Sequence, residues 1–199
     1  MLTLHPLTVD QVAYVYNRHM RQDFAADELK PLAGIKQLMQ QGCYKGYGLF
    51  ENGDLSGYAL LMTLPGERVV LLDYYAIVQR KRGRGYGSRF LTLLRRELAA
   101  YDGVILESER VQNAVGWPQK NIRIRRIAFY HRNGARTTCL YSRLFDVDFS
   151  VLYMPCARDL PDGRLYQALD ALYRALFPPY LWQKKVELGM RACSGPVWK

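Results

Sequence analysis

The spacing of apolar positions changes several times along the chain. Behind Thr8, Val12, Tyr16, His19 and Met20 recur at helical spacing, with Gln11 placed as the capping-box partner of Thr8. This predicts a first helix running to about Met20, preceded by an edge strand over residues 2–4. Pro31 suits the first position of a helix and Gly42 its stop, with Leu32, Ile35, Leu38 and Met39 between them. The pattern then turns to strands. Residues 43–51 and 54–64 flank Asn52-Gly53, a strong hairpin signal, and Pro65-Gly66 makes a second turn. Residues 69–78, VVLLDYYAIV, are almost continuously apolar or aromatic, as a strand buried on both faces would be. Three strands joined by tight turns predict an antiparallel meander.

Helical spacing returns over residues 85–100, where Phe90, Leu91, Leu94 and Leu98 form one stripe. Asp102-Gly103 ends it, and residues 104–108 read as a short strand. The strand–helix–strand unit predicts a right-handed parallel crossover. Residues 109–121 are polar and predict a loop. Residues 123–133 predict a helix stopped by Gly134, followed by strands over 136–141 and 149–154. From Pro161, Leu165, Ala168, Leu169, Leu172 and Leu176 share a helical face until Phe177-Pro178-Pro179 breaks it. Residues 180–188 predict a last short helix, and nothing beyond Gly189 carries a signal.

At 199 residues and 49% hydrophobic, the chain is long enough for one folded domain with a small appendage. The expected division is a core over residues 1–155 and a helical extension over 156–199 packed on it. No apolar run reaches the ~20 residues of a membrane span. The N-terminus lacks the basic and apolar regions of a secretory signal, so a cytoplasmic location is expected. Cys43, Cys139, Cys156 and Cys193 form no metal-binding spacing and predict free thiols rather than disulfides or a metal site.

The net charge of +10 is concentrated in two segments. Residues 79–89 hold Arg80, Lys81, Arg82, Arg84 and Arg89 with no acid. Residues 110–136 hold Arg110, Lys120, Arg123, Arg125, Arg126, Arg132 and Arg136, again with no acid. Such a field calls for a polyanionic partner. The first segment also supplies the means to bind one: Arg82-Gly83-Arg84-Gly85-Tyr86-Gly87-Ser88 follows a buried strand and opens a helix. A helix N-terminus offers unpaired N–H groups and a partial positive charge, and glycines let a diphosphate approach the backbone. No lysine follows the glycines as a Walker A loop requires. Ser88 stands where the dinucleotide fingerprint needs a third glycine. The preceding meander also differs from the parallel sheet of a dinucleotide fold.

Arg82, Gly85 and Gly87 meet the [Q/R]xxGx[G/A] pattern, and residues 125–136, RRIAFYHRNGAR, resemble an A-x-x-FY-x-x-x-G helix. Both motifs, in this order with one strand between them, resemble the GNAT superfamily of acyl-CoA N-acyltransferases from the first strand to about Met154. The resemblance implies an α/β chain of α+β type. Its central sheet would be mixed and mostly antiparallel, of about six to seven strands, with flanking helices and a C-terminal helical extension. It implies acetyl-CoA as co-substrate and an amine acceptor. Backbone N–H groups of Arg82, Gly83, Arg84, Gly85, Tyr86 and Gly87, with Ser88, would cradle the CoA pyrophosphate. The backbone of Ile77 and Val78 would bind the acetyl carbonyl and pantetheine arm. Tyr130 matches the tyrosine that protonates the departing thiolate.

The chemistry constrains the base least, because attack on a thioester can be managed largely by positioning. Asp73, an acid within an apolar strand, and Glu107 and Glu109, at the end of the next strand, are the candidates, Glu107 standing where the reacting edge of the sheet should open. Acceptor choice would lie with residues 20–31, residues 109–121 including Trp117, and the extension. His131 and the neighbouring arginines read as a solvated helix face. The Leu165 stripe reads as core or as a homodimer face. Two other readings stay open: an acyl-CoA sensor without turnover, and a basic nucleic-acid-binding module. Against the second, no helix-turn-helix or RNP-type pattern is present.

Overall fold

The computed structural model describes residues 1–192. They fall into two compact units, Met1–Leu98 and Ala99–Lys199.

In the first unit, β1 (Leu2–Leu7), β2 (Tyr44–Glu51), β3 (Asp54–Met62) and β4 (Val69–Ile77) form an antiparallel meander in chain order. Asn52 and Gly53 both take positive φ, 52° and 85°, as the primed hairpin turn demands. The meander is therefore as the sequence predicts. The first helix begins with the expected box: Gln11 N–H donates to Thr8 Oγ1 at 3.3 Å and Thr8 N–H to Gln11 Oε1 at 2.9 Å. It does not stay regular. α1 (Val9–Val15) passes into a π-helical stretch, Tyr16–Met20, and one last turn, α2 (Arg21–Asp23). α3 (Leu32–Gln40) takes Pro31 as its N-cap, so the helix starts one residue later than predicted. Gly42, at φ 73°, closes it as expected. α4 (Tyr86–Glu97) buries Phe90, Leu91 and Leu94 against β3 and β4.

In the second unit, β5 (Gly103–Glu109), β7 (Val147–Pro155), β6 (Arg136–Leu144) and β8 (Val186–Met190) lie side by side, all antiparallel. Among the described residues there are thus eight strands, more than the six to seven predicted. The extra strand is β8. Residues 186–188 were expected to continue a helix, but α7 (Pro179–Lys185) stops and the chain pairs with the edge of β6. Five residues without clear alternation give too little pattern to announce a strand. β6 and β7 are also longer than predicted. They join in a tight hairpin at Phe145 and Asp146, both at positive φ without glycine to signal it.

α5 (Gly116–Arg132) corrects the predicted loop over residues 109–121, starting seven residues before the expected helix. Its first turn accepts Pro118, where no intrahelical N–H is needed, and Gln119 Oε1 accepts the Val115 N–H at 3.0 Å. Trp117, Ile122 and Ile124 face solvent, so this half of the helix has no apolar stripe to read. α6 (Asp162–Leu176) buries Leu165, Ala168, Leu169 and Leu172, as its stripe predicts. Cys43 and Cys156 keep their thiols. Cys139 is disulfide-bonded, against the expectation of free thiols. Cys193 lies outside the described residues.

Candidate active site

β4 ends at Ile77 and the chain makes a 3-10 turn, Gln79–Lys81, before the glycines. Gly83 and Gly85 take φ of 74° and 78°, in the left-handed region, and Gly85 is the N-cap of α4. A Cβ built at either meets no atom within 4 Å, so the space above the loop is open. No side chain caps the helix. Its first intrahelical bond runs from Arg89 N–H to the Gly85 carbonyl, at 3.3 Å. Six consecutive N–H groups, Gly83 through Ser88, therefore have no acceptor among the described residues. The segment is exposed, and neither Arg84 nor Arg89 has an ion pair among the described residues. An anion with several oxygens fits such a row of donors.

The neighbouring side chains hold this loop rather than fill it. Tyr75 Oη donates to the Gly87 carbonyl at 2.7 Å, tying β4 to the first turn of α4. Lys81 Nζ and Tyr86 Oη both donate to Glu51 Oε2, each at 2.7 Å. These two bonds hold the Glu51 carboxyl below its ordinary range, and the bond to Glu51 pushes the Tyr86 phenol up. Arg82 Nε donates to the Ile77 carbonyl at 2.9 Å, and its terminal nitrogen pairs with Asp23. Tyr86 thus offers the loop its backbone N–H while its side chain braces it; the Arg82 N–H, expected in the cradle, is instead given to the Gln79 carbonyl at 3.3 Å, so Arg82 only braces the loop.

At the strand end the two predicted backbones differ. Val78 N–H donates to the Ser56 carbonyl at 3.0 Å, and its carbonyl accepts from Lys81 N–H at 2.8 Å. Both Val78 groups are used within the chain. By the alternation of an antiparallel ladder, the N–H and C=O of Ile77 then point away from β3.

Asp73 lies on the same strand, in a closed cluster. Lys30 Nζ reaches both its oxygens at 2.8 Å, and Tyr44 Oη donates to it. Burial, and then the Asp73 charge, push the Tyr44 phenol well up. Tyr74 Oη receives the Lys30 N–H at 2.9 Å and donates to the Glu28 carbonyl at 2.8 Å. Residues 20–31 are in this way laid on β4, a set of contacts more than forty residues apart in sequence that no local pattern announces.

In the second unit, Glu107 accepts from Ser142 Oγ and Tyr173 Oη, two fully buried donors. Tyr173 belongs to α6, in the expected extension. Tyr130, on α5, is 8% exposed. Its hydroxyl has no hydrogen bond among the described residues, and burial raises its pKa above the ordinary phenol value. His131 bonds Thr137 Oγ1 at 2.9 Å, which sets α5 on the face of the sheet carrying Thr137. Glu107 shares its face with Ser142 and Val151, which α6 covers. Glu107 and Tyr130 therefore address opposite faces of this sheet. Trp117 does not line a loop; it stands on α5, 69% exposed.

No family model matches the sequence, and no curated protein matches it either. Solved structures do match. A Bacteroides thetaiotaomicron acetyltransferase assigned to the GNAT family is 19% identical, with TM-score 0.67 over 85% of this chain and 94% of that one. The Escherichia coli ribosomal-protein-S18-alanine N-acetyltransferase is 17% identical, with TM-score 0.57 over 80% and 97%. The Vibrio cholerae spermidine N-acetyltransferase, solved with CoA and spermine, is 11% identical, with TM-score 0.59 over 79% and 96%.

The chain has the GNAT fold. At these identities the likeness concerns the backbone alone, and the loop chemistry above is this chain's own. β4, the glycine loop, α4, β5 and α5 follow one another in the order in which the two sequence motifs place them.

Proposed function

We propose that this protein is an N-acetyltransferase that moves the acetyl group of acetyl-CoA to a primary amine by direct attack. The observation that carries the reading is the row of six unpaired N–H groups at Gly83–Ser88, opening α4 directly after β4 in a GNAT fold. Gly83, Arg84, Gly85, Tyr86, Gly87 and Ser88 hold the CoA pyrophosphate through their backbones. Ile77 offers its backbone N–H to the acyl end, its carbonyl being capped by Arg82; the Val78 groups, already bonded, act by fixing the strand end. Neighbours solved with CoA or named as N-acetyltransferases support the same co-substrate.

Tyr130 serves the leaving thiolate. Burial keeps its phenol neutral at physiological pH. The phenol thus acts by donating a hydrogen bond as charge develops. Glu107 is the candidate base in this reading. Asp73, neutralised by Lys30, is the weaker candidate.

One observation favours a second reading. Both carboxylates are already engaged, Glu107 by Ser142 and Tyr173, Asp73 by Lys30 and Tyr44. A protein that binds acyl-CoA without turnover would look the same. Free-thiol release from acetyl-CoA with a panel of amines, amino acids, polyamines, aminoglycosides and peptides separates the two. Release with any amine supports the enzyme. Binding of acetyl-CoA without release supports the sensor, and absence of binding at millimolar acetyl-CoA rejects both.

A further inference from the structure

Arg82 does two things with one guanidinium. Its Nε caps the Ile77 carbonyl at 2.9 Å, and its terminal nitrogen is held by Asp23 Oδ1. The two partners differ in exposure: the Arg82 side chain is 49% exposed, and that of Asp23 only 8%. Asp23 is anchored from the other side by Tyr58, whose hydroxyl donates to Oδ2 at 2.7 Å and whose side chain is fully buried on β3. Burial, and then this bond to Asp23, push the Tyr58 phenol up, so it remains a donor. Asp23 itself closes the last turn of α2, and its neighbour Phe24 packs edge-on against Tyr74 with centroids 5.1 Å apart. A chain of contacts thus runs from β3 through Tyr58 and Asp23 to Arg82, and from Arg82 to the end of β4 and the open glycine loop.

We propose that Asp23 is a positioning residue for the cofactor loop, and that through Arg82 it makes occupancy of that loop set the place of residues 20–31. This rests on the acetyl-CoA reading above and adds to it. A guanidinium in solution samples many rotamers, whereas a nearly buried carboxylate with a second fixed partner holds it in one. With Arg82 held, the Ile77 carbonyl is capped and the backbone from residue 82 to the N-cap Gly85 starts from one place. An anion on the exposed loop shares the guanidinium field with Asp23, so binding and the ordering of residues 20–31 are linked in both directions. Those residues border β4 on the side expected to receive the acceptor. The cofactor would therefore shape the acceptor side before the amine arrives.

The test uses CoA as the probe, with calorimetry for affinity and amide hydrogen exchange for ordering. In the wild type, CoA should slow exchange at residues 83–88 and also at residues 20–30. Asp23→Asn keeps the shape and an acceptor for Tyr58, and frees Arg82 into solvent. It should weaken CoA by about tenfold and remove the protection at 20–30 while leaving that at 83–88. Arg82→Lys, which cannot span both partners, should do the same. The double variant should be no worse than either single, the signature of one shared interaction. A merely structural Asp23 would lower the melting temperature and leave affinity and the exchange pattern unchanged, overturning the proposal. Protection at 83–88 without any at 20–30 in the wild type would also overturn it, with the acetyl-CoA reading intact. If CoA neither binds nor protects residues 83–88, it is the acetyl-CoA reading that fails.

Discussion

At the residue scale, the site divides into groups that a sequence exposes and groups that it hides. Gly83 and Gly85 are legible because only a residue without a Cβ takes φ of 74° and 78° without strain. Tyr130 is legible as a motif residue, but not its burial. The partners of Asp73 and Glu107 are not legible at all. Lys30 and Tyr44 are 43 and 29 residues from Asp73, and Ser142 and Tyr173 are 35 and 66 from Glu107. An acid in an apolar strand looks equally like a base or a satisfied ion pair until those partners are placed. Tyr130→Phe gives the clearest residue-scale prediction. The phenol has no bond to lose, so the melting temperature should hold within a degree or two. In turnover, kcat should fall about 100-fold, the value of one hydrogen bond aimed at developing charge. The KM for acetyl-CoA should change little. Steady-state kinetics over pH 6–9 checks this, and an unchanged kcat throughout would remove Tyr130 from the chemistry.

At the scale of elements, the first unit was readable almost strand by strand. Its turns carry Asn52-Gly53 and Pro65-Gly66, and its first helix carries the Thr8–Gln11 capping box. The second unit was readable only where burial imposes a period. α6 buries a full stripe and is legible; the first half of α5 buries none and its sequence looks like loop. β8 is short and lies at an edge, so packing against β6 rather than pattern makes it a strand. α5 also supplies a prediction about pH. His131, bonded to Thr137 at 2.9 Å, is pulled below its ordinary value of 6.5 by burial alone. The folded state then prefers the neutral imidazole, and the unfolded chain takes up the proton first. Stability from this group is complete above pH 6.5 and is lost as pH falls below it towards the folded-state value. Glu51, a carboxylate held low, begins to matter only below 4.5, so the window between separates the two. Urea unfolding at pH 7.5 and 5.5 should show a drop for the wild type and a smaller one for His131→Gln. Equal drops would place the pH dependence elsewhere; His19, also lowered by burial, is the next group to test.

For the molecule as a whole, the question is what the charge of +10 is for. Twelve cationic side chains in two acid-free segments suggested a strong external field. The folded chain cancels half of it. Arg80, Lys81, Arg82, Arg123, Arg126 and Arg136 each pair with an acid drawn from outside those segments, among them Asp54, Glu51, Asp23 and Glu109. The pairs at Lys81 and Arg123 are half-buried, so salt screens them less than the exposed pairs. Arg84, Arg89, Arg110, Lys120, Arg125 and Arg132 remain without an ion pair among the described residues. Two of these flank the glycine loop, which matches a small polyphosphate better than a long polyanion. The consequence is measurable by thermal unfolding at 150 mM salt. Acetyl-CoA at 100 times its Kd should add about 2.7 kcal/mol of stability, or roughly 5–10 °C for a chain of this size. Duplex DNA under the same conditions should add nothing. At low salt, any duplex binding should fall with log salt no more steeply than a slope of about −5, the limit for six phosphate contacts. A steeper slope would mean that the internal pairs open to meet a nucleic acid. If duplex also raised the melting temperature while acetyl-CoA did not, the basic segments would belong to the nucleic-acid reading and the loop at Gly83–Ser88 would be only its edge.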